Sequence, residues 1–289
     1  MSQIISLKDH IQQLINHRTE PENAPPKITT GHVDLDKLIG GFRLPSINIV
    51  AGKPGHFAKE TVFSLLYRIA ADKVPSAMIY TSTNKFDMFY WHLASETKQP
   101  GNDFLLSNSI ELQLKVLKRS HQKAQDIPLL FNSKKPFNFN DFLDQAQNMV
   151  NQGVKLIAVD SLIDLGQLSL SGSNENNWSK ENVWSRLFEL RDFADRNNIA
   201  FLIAHKVLEE SQYEFAPEPR FEELVWANAV DNIADTIFLT YWPFGAGMEY
   251  DSIGDLIAQN EIELNLVKND YGRIGELKLE VRYEPTRLV

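Results

Sequence analysis

The sequence predicts an α/β protein with a mostly parallel central sheet, flanked by helices and closed by an antiparallel hairpin. Three observations carry that prediction. The stretch Ile47 to Glu60 runs strand, glycine- and proline-containing turn, helix, the order of a phosphate-binding loop. Beyond it, short apolar runs alternate with amphipathic segments as far as Thr240, which is how a parallel sheet covered on both faces is written. Finally, Glu261–Val267 and Glu276–Tyr283 alternate apolar and polar residues across Asn269-Asp270-Tyr271-Gly272, the pattern of a closing hairpin.

Taken in order, Ser6 is placed to cap a helix carrying Leu7, Ile11, Leu14 and Ile15 on one face. A breaker-rich linker follows from Thr19 to Lys27, with Pro21, Pro25 and Pro26. Residues 1–27 therefore read as a helical arm and tether, and residues 28–289 as the main domain. A short amphipathic helix cannot bury its stripe alone, so the arm is expected to dock on its own domain or on a neighbouring subunit. Within the main domain, strands are expected at Ile47–Ala51, Ala77–Tyr80, Leu129–Phe131, Leu156–Val159, Ala200–Ile203 and Thr236–Thr240. Helices are expected at Glu60–Ala71, Lys85–Thr97, Ser109–Gln125, Asn140–Asn151, Lys180–Arg196 and near Asn228–Ala234.

At 289 residues and 43% hydrophobic, the chain can build one large α/β domain with a small appendage. No run approaches the roughly 18 apolar residues of a membrane span, and no basic-then-apolar leader opens the chain. With no cysteine there are no disulfides, thiolate metal sites or cysteine nucleophiles, which fits a cytoplasmic setting. The net charge of −9 argues against a generally basic, nucleic-acid-coating surface.

The phosphate loop keeps its outline and loses its residues. A working loop, G-x-x-x-x-G-K-[ST], wraps phosphates in backbone N–H groups, holds the outer phosphates with lysine and ligates Mg²⁺ through a hydroxyl. Gly52 fits the first position, and Pro54 and Gly55 make the turn. Counted without gaps, Phe57 falls on the second glycine, Ala58 on the lysine and Lys59 on the hydroxyl. One inserted residue would bring Lys59 to the lysine position, with Ala58 on the glycine and Glu60 on the hydroxyl. A Cβ at Phe57 or Ala58 crowds the phosphate path, and Glu60 sets a negative charge against it.

The order of motifs resembles the RecA-type motor domain of DnaB-type replicative helicases. The resemblance starts with Ile28-Thr29-Thr30-Gly31, Leu35 to Phe42, and Ala51-Gly52-Lys53-Pro54-Gly55. Leu156-Ile157-Ala158-Val159-Asp160-Ser161-Leu162 resembles the Walker B strand. Phe201-Leu202-Ile203-Ala204-His205-Lys206 resembles the following strand, where phage primase–helicases carry a phosphate-sensing histidine. Asp231 to Tyr241, and Val267-Lys268-Asn269 through Gly275, resemble the last parallel strand and the terminal hairpin. The resemblance covers roughly residues 28–289, and the preceding arm is similar to the family's linker helix. It implies a RecA-like P-loop NTPase fold, ATP and Mg²⁺ as ligands of a working site, and a six-subunit ring with nucleotide between subunits.

The family's catalytic positions can be tested one at a time. Its water-polarising glutamate matches Thr83, whose hydroxyl cannot accept a proton at neutral pH. Asp160 is retained at a strand end, either to hold metal-bound water or to cap the next turn. His205 ends the next strand, as a phosphate sensor or as a structural histidine. From the hairpin, Lys268 matches the lysine offered to a neighbouring subunit, Asp270 stands where the finger arginine belongs, and Arg273 follows three residues later. The segments matching the two DNA-gripping central loops, Ile163–Trp178 and Leu208–Glu223, are acidic, with Arg220 as their one basic residue. Channel-type DNA binding is therefore not expected.

The basic residues concentrate elsewhere, at Lys115, Lys118, Arg119, His121 and Lys123, then Lys134 and Lys135. They read as a solvated helix face or as an outer-surface contact for nucleic acid or an acidic partner. Phe137, Phe139 and Phe142 are expected to pack the core. The Gly- and aromatic-rich stretch Trp242–Met248 has no clear role in the sequence. Three functions remain open: a catalytically degenerate subunit or regulator, acting by assembly with itself, a DnaB-type ring or a replication protein; an active ATP-dependent helicase using Lys59, Asp160, His205 and Lys268; or a nucleotide sensor without turnover.

Overall fold

In the computed structural model the described residues are 6–19, 26–81, 97, 101–107, 109–162, 180–207, 218–249, 256, 258–282 and 287–288. Their core is a sheet whose central strand, β3 (Ser46–Gly52), is buried at every position. Strand β7 (Ala200–Lys206) lies parallel to it on one side and β8 (Thr236–Tyr241) on the other. Outward from β7 follow β6 (Leu156–Val159), β4 (Ser76–Ile79) and β5 (Leu129–Phe131), all parallel. Outward from β8 the sheet turns antiparallel through β9 (Glu261–Asn269), β10 (Gly275–Arg282) and β11 (Arg287–Leu288). Two short strands, β1 (Lys27–Ile28) and β2 (Phe42–Arg43), pair separately and flank helix α2 (Val33–Ile39).

Alternation of side chains across β3 divides the interior into two layers. Ile47, Ile49 and Ala51 face one cluster, into which pack Phe139, Phe142 and Met149 of α6 (Phe139–Asn151). Leu187, Leu190 and Phe193 of α7 (Lys180–Asn197) and Val230 and Ile233 of α8 (Ala227–Ile233) complete that layer. Val50 faces the other, where α3 (Ala58–Ala71) contributes Val62, Leu66 and Ile69 beside Leu264 and Leu266 of the hairpin. Asn48, buried at the centre of β3, is satisfied by Ser46, the Phe201 carbonyl and Thr236, as a buried amide requires.

The expected strands and helices form with their ends in place or shifted by at most three residues, apart from the helix expected at Lys85–Thr97, which lies outside the described residues except for Thr97. Sequence periodicity missed the α2 turn, the β1–β2 pair and α4 (Gly101–Ser107), each too short to display a period. The arm forms α1 (Leu7–Thr19), with Ser6 Oγ accepting from Asp9 N at 3.1 Å. Of its stripe, Leu7, Ile11 and Ile15 are 76%, 48% and 48% exposed. Phe139 and Phe142 are buried as expected, but Phe137 is 82% exposed. It precedes the Asn138 cap of α6, and its N–H donates to Asp141, which leaves the ring outside the helix packing.

One buried carboxylate ties the amino edge of the sheet together. Asp235, 5% exposed, accepts from Ile47 N at 2.7 Å, from the Arg191 guanidinium of α7 and from the Tyr271 hydroxyl of the hairpin turn. Burial, then the Asp235 carboxylate, pushes the Tyr271 hydroxyl pKa up, and the Arg43 guanidinium lies 3.9 Å above its ring. Breaking such a pair strands the remaining charge. Asp235→Ala should lower stability by about 3 kcal/mol in urea denaturation, whereas Asp231→Ala, at an exposed partner, should cost less than about 1 kcal/mol.

Candidate functional site

The loop between β3 and α3 opens at the carboxyl end of the central strand beside β7, where the chain leaves β3 towards β4 on one side and leaves β7 towards β8 on the other. Such a switch point is where ligands enter open α/β sheets. A cleft of about 260 Å³ lies there, formed by residues 52–55 and 57–60 with Asp160, Ser161, Ala204, His205 and Lys206. Gly52, Pro54, Gly55, Lys59, Glu60, Asp160 and His205 thus line one cleft.

Helix α3 begins at Ala58, and its N-cap is Phe57 with φ 64°, a left-handed conformation that side chains disfavour. Gly55 is also left-handed, with φ 81°. Phe57 thus holds a left-handed position directly ahead of the helix, and Lys59 lies in its first turn. Aromatic packing holds it. The Phe57 ring meets Trp242 edge-on at 5.1 Å, and His56 stacks on Tyr241 at 5.5 Å. His56 Nδ1 accepts from Trp242 N at 3.0 Å, and burial, reinforced by Lys53, lowers the His56 pKa and keeps that acceptor neutral. Gly245 lies so close beneath Trp242 that a Cβ there would sit 2.0 Å from the ring. The stretch Trp242–Met248 thus braces the phosphate loop, a role that local sequence could not reveal because its partners are 186 residues away.

Glu60 lines the cleft with its pKa raised by burial, opposed by a bond to its own backbone N–H. Asp160 is 2% exposed, and its Oδ1 accepts from both the N–H and the hydroxyl of Thr81 at 2.7 Å. It joins the ends of β6 and β4. His205 is 3% exposed, stacks on Trp226 and shares a 2.6 Å hydrogen bond with the Val225 carbonyl through Nε2. Nε2 carries the proton, because a carbonyl only accepts. Burial pushes the His205 pKa down to about 4.

The hairpin residues lie elsewhere. Asn269 pairs with Thr236, which pairs with Asn48, whereas the loop leaves the sheet beyond Gly52. Four residues of strand, about 13 Å, separate the two edges. The Lys268 ammonium bonds the Asp231 carbonyl and lies within 3.4 Å of the Asp231 carboxylate and 3.6 Å of Asp270. Arg273 is exposed, and among the described residues its guanidinium makes no ion pair.

Comparison with known proteins agrees with this architecture. The family described as DnaB-like helicase C-terminal domain matches residues 27–289. The chain belongs to that family. It is 29% identical over 171 residues to the replicative DNA helicase DnaB of Nostoc sp. (strain PCC 7120 / SAG 25.82 / UTEX 2576), covering 56% of this chain and 19% of that protein. It thus spans about a fifth of that relative's length. The ATPase domain of G40P superposes with a TM-score of 0.75 at 15% identity, over 99% of each chain. A DnaB-like replicative helicase, solved in a study of its interactions with primase, gives 0.76 at 13% identity, over 96% of this chain and 65% of that one. The fold is RecA-like.

In this DnaB-like chain Thr83 lies outside the described residues, as do the first central-loop segment and residues 208–217 of the second. Lys115, Lys118, Arg119 and Lys123 are all exposed on α5 (Ile110–Ala124), far in sequence from the cleft-lining segments. Residues the sequence reasoning passed over are Lys53, Ser161 and Lys206 on the cleft wall, Thr81 on Asp160 and Trp226 on His205. No helix among the described residues is long and apolar enough to cross a membrane. A depressed histidine pKa favours the neutral folded state, so its stabilising effect is full above about pH 6.5 and declines towards pH 4. Urea denaturation of His205→Gln should lack the part of the acid destabilisation, up to about 3 kcal/mol, that the parent chain develops across that window.

Proposed function

We propose that this chain is a catalytically degenerate DnaB-type motor domain that serves a replication or mobile-element assembly through protein contacts. The observation carrying this reading is the start of α3. Taking Phe57, the N-cap of α3, as the second-glycine position puts Ala58 on the phosphate-binding lysine and Lys59 on the Mg²⁺-binding hydroxyl. Three further features support it. His205 holds its proton against Val225 and presents only an acceptor, the wrong polarity for an unprotonated phosphate oxygen. Lys268 is held by Asp231 and Asp270, and Asp270 replaces the finger arginine. Thr83 lacks a proton-accepting group. Loss of a finger arginine alone costs about 10³–10⁵ in rate where an enzyme relies on one.

A ring is the assembly that this architecture favours. The cleft and hairpin turn occupy opposite edges, as they must if one subunit's hairpin addresses its neighbour's cleft. The exposed stripe of α1 then docks on an adjacent subunit, either another copy or a member of a DnaB-type ring. A primase, the protein studied with one structural relative, is the first replication partner to test. The competing reading, an active ATP-dependent helicase, is favoured by the match over residues 27–289.

Purified chain given ATP, Mg²⁺ and single-stranded DNA should release phosphate at background rate. Turnover that disappears in Lys59→Ala would instead establish the active enzyme. In solution, mass measurement should give an oligomer that dissociates when residues 1–27 are removed, and a monomer in both forms would exclude docking between subunits.

A further inference from the structure

A second cavity, of about 350 Å³, lies between the amino end of α7 and the segment that leads into α8. Three aromatic residues line it: Trp184 of α7, Phe221 of the 3₁₀ turn Phe221–Glu223, and Trp226, the N-cap of α8. Val183 and Leu224 add aliphatic surface, and among the described residues Glu222 is the only ionisable group on the wall. Tertiary contacts fix this wall. Trp226 stacks on His205 at 6.2 Å, and the next residue back is held twice, its carbonyl by His205 Nε2 and its N–H by the Lys206 carbonyl. Leu224, 3% exposed, bridges to Val207, and Trp184 packs on Phe188 at 5.8 Å. Trp226 has φ 59°, a left-handed conformation that a bulky side chain disfavours, and outliers of this kind gather at ligand sites. Rings held in advance lose little freedom when a ligand enters.

The chemistry of the wall selects the ligand. Aromatic faces attract a cation, tryptophan most strongly, and Glu222 adds an opposite charge. Nucleic acid is disfavoured, because no lysine or arginine lines the cavity and Glu218, Glu222 and Glu223 outnumber Arg220 in the adjoining segment. A docked helix such as α1 is about 10–12 Å across, too wide for this volume. An aliphatic side chain would fill the space and leave Glu222 without a match. A guanidinium answers both features, since its plane stacks on aromatic rings and its fork of N–H donors fits a carboxylate.

We propose that this aromatic cleft receives an arginine side chain of a partner protein, its guanidinium against Trp184, Phe221 and Trp226 and paired with Glu222. This names the chemistry of one protein contact in the assembly role proposed above. The two fail separately, because phosphate release reports on the degenerate site and arginine binding on this cleft. The test is titration of the full chain with N-acetyl-arginine amide, N-acetyl-citrulline amide and N-acetyl-leucine amide, following the indole N–H signals of its five tryptophans by NMR. The arginine probe should shift the Trp184 and Trp226 signals saturably, with a Kd of about 1 mM, and leave that of Trp242, beside the phosphate loop, in place. The uncharged citrulline probe should bind at least about fivefold more weakly. Trp184→Leu and Glu222→Gln should each weaken the arginine probe about fivefold, the scale of one cation–π contact or one exposed ion pair. Equal binding of the arginine and leucine probes would make the cleft a plain apolar site and overturn the proposal. So would the absence of saturation by about 50 mM, or full affinity in Glu222→Gln. Shifts that follow protein concentration without any probe would assign the cleft to a second copy and likewise overturn it. Should Trp184→Leu fail to fold, Glu222→Gln, at an exposed position, and the comparison of probes on the unaltered chain still decide.

Discussion

The left-handed turn at Phe57 decides which side chains face the cleft, because it sets the residue at which α3 begins. A non-glycine residue in that conformation costs about 1–2 kcal/mol. The surrounding contacts are of the right size to offset it. The Phe57–Trp242 and His56–Tyr241 ring pairs contribute about 0.5–1.5 kcal/mol each beyond burial, and the Trp242 N–H bond to His56 about 1 kcal/mol. The loop is therefore held by its own protein scaffold. A phosphate loop ordinarily reaches this shape with glycine, which needs no such brace.

That brace comes from the segment just after β8, the strand that also pairs in parallel with β3. Thr240 lies so close to Gly52 that a Cβ there would approach its hydroxyl to 2.3 Å. Sheet and loop thus meet without slack at the carboxyl edge. At the amino edge the same two strands are joined through Asp235, which gathers α7 and the hairpin turn onto the start of β3. The two edges carry different chemistry. One is a cationic cleft, and the other a neutralised cluster of ion pairs and a tyrosine.

The charge pattern around the cleft follows from which neighbours each ionisable group acquired. Asp160 and His205 occupy the strand ends where a motor domain uses them, and each has taken a structural partner, Thr81 or Val225. Lys268 has done the same with Asp231 and Asp270. Three residues that look retained in a motif thus each have a partner within the fold. A motif match reports the position of a side chain, whereas its availability depends on what folds against it.

Much of the fold was legible because its signals are local. Apolar runs such as Leu156–Val159 and Ala200–Ile203, and the alternation across Asn269–Gly272, need only neighbouring residues to be read. The two-residue strands and α2 escaped notice, since elements of two to seven residues show no period. The composition and the loop's departures from the G-x-x-x-x-G-K-[ST] pattern were likewise plain in one dimension. The register of that loop was not, because one inserted residue is equally grammatical on paper. Only the assembled structure shows what packs that turn, since Trp242 meets Phe57 and donates to His56 across 186 residues of chain. Contacts between distant segments, and the burial they impose on His205 and Glu60, exist only once the sheet has closed.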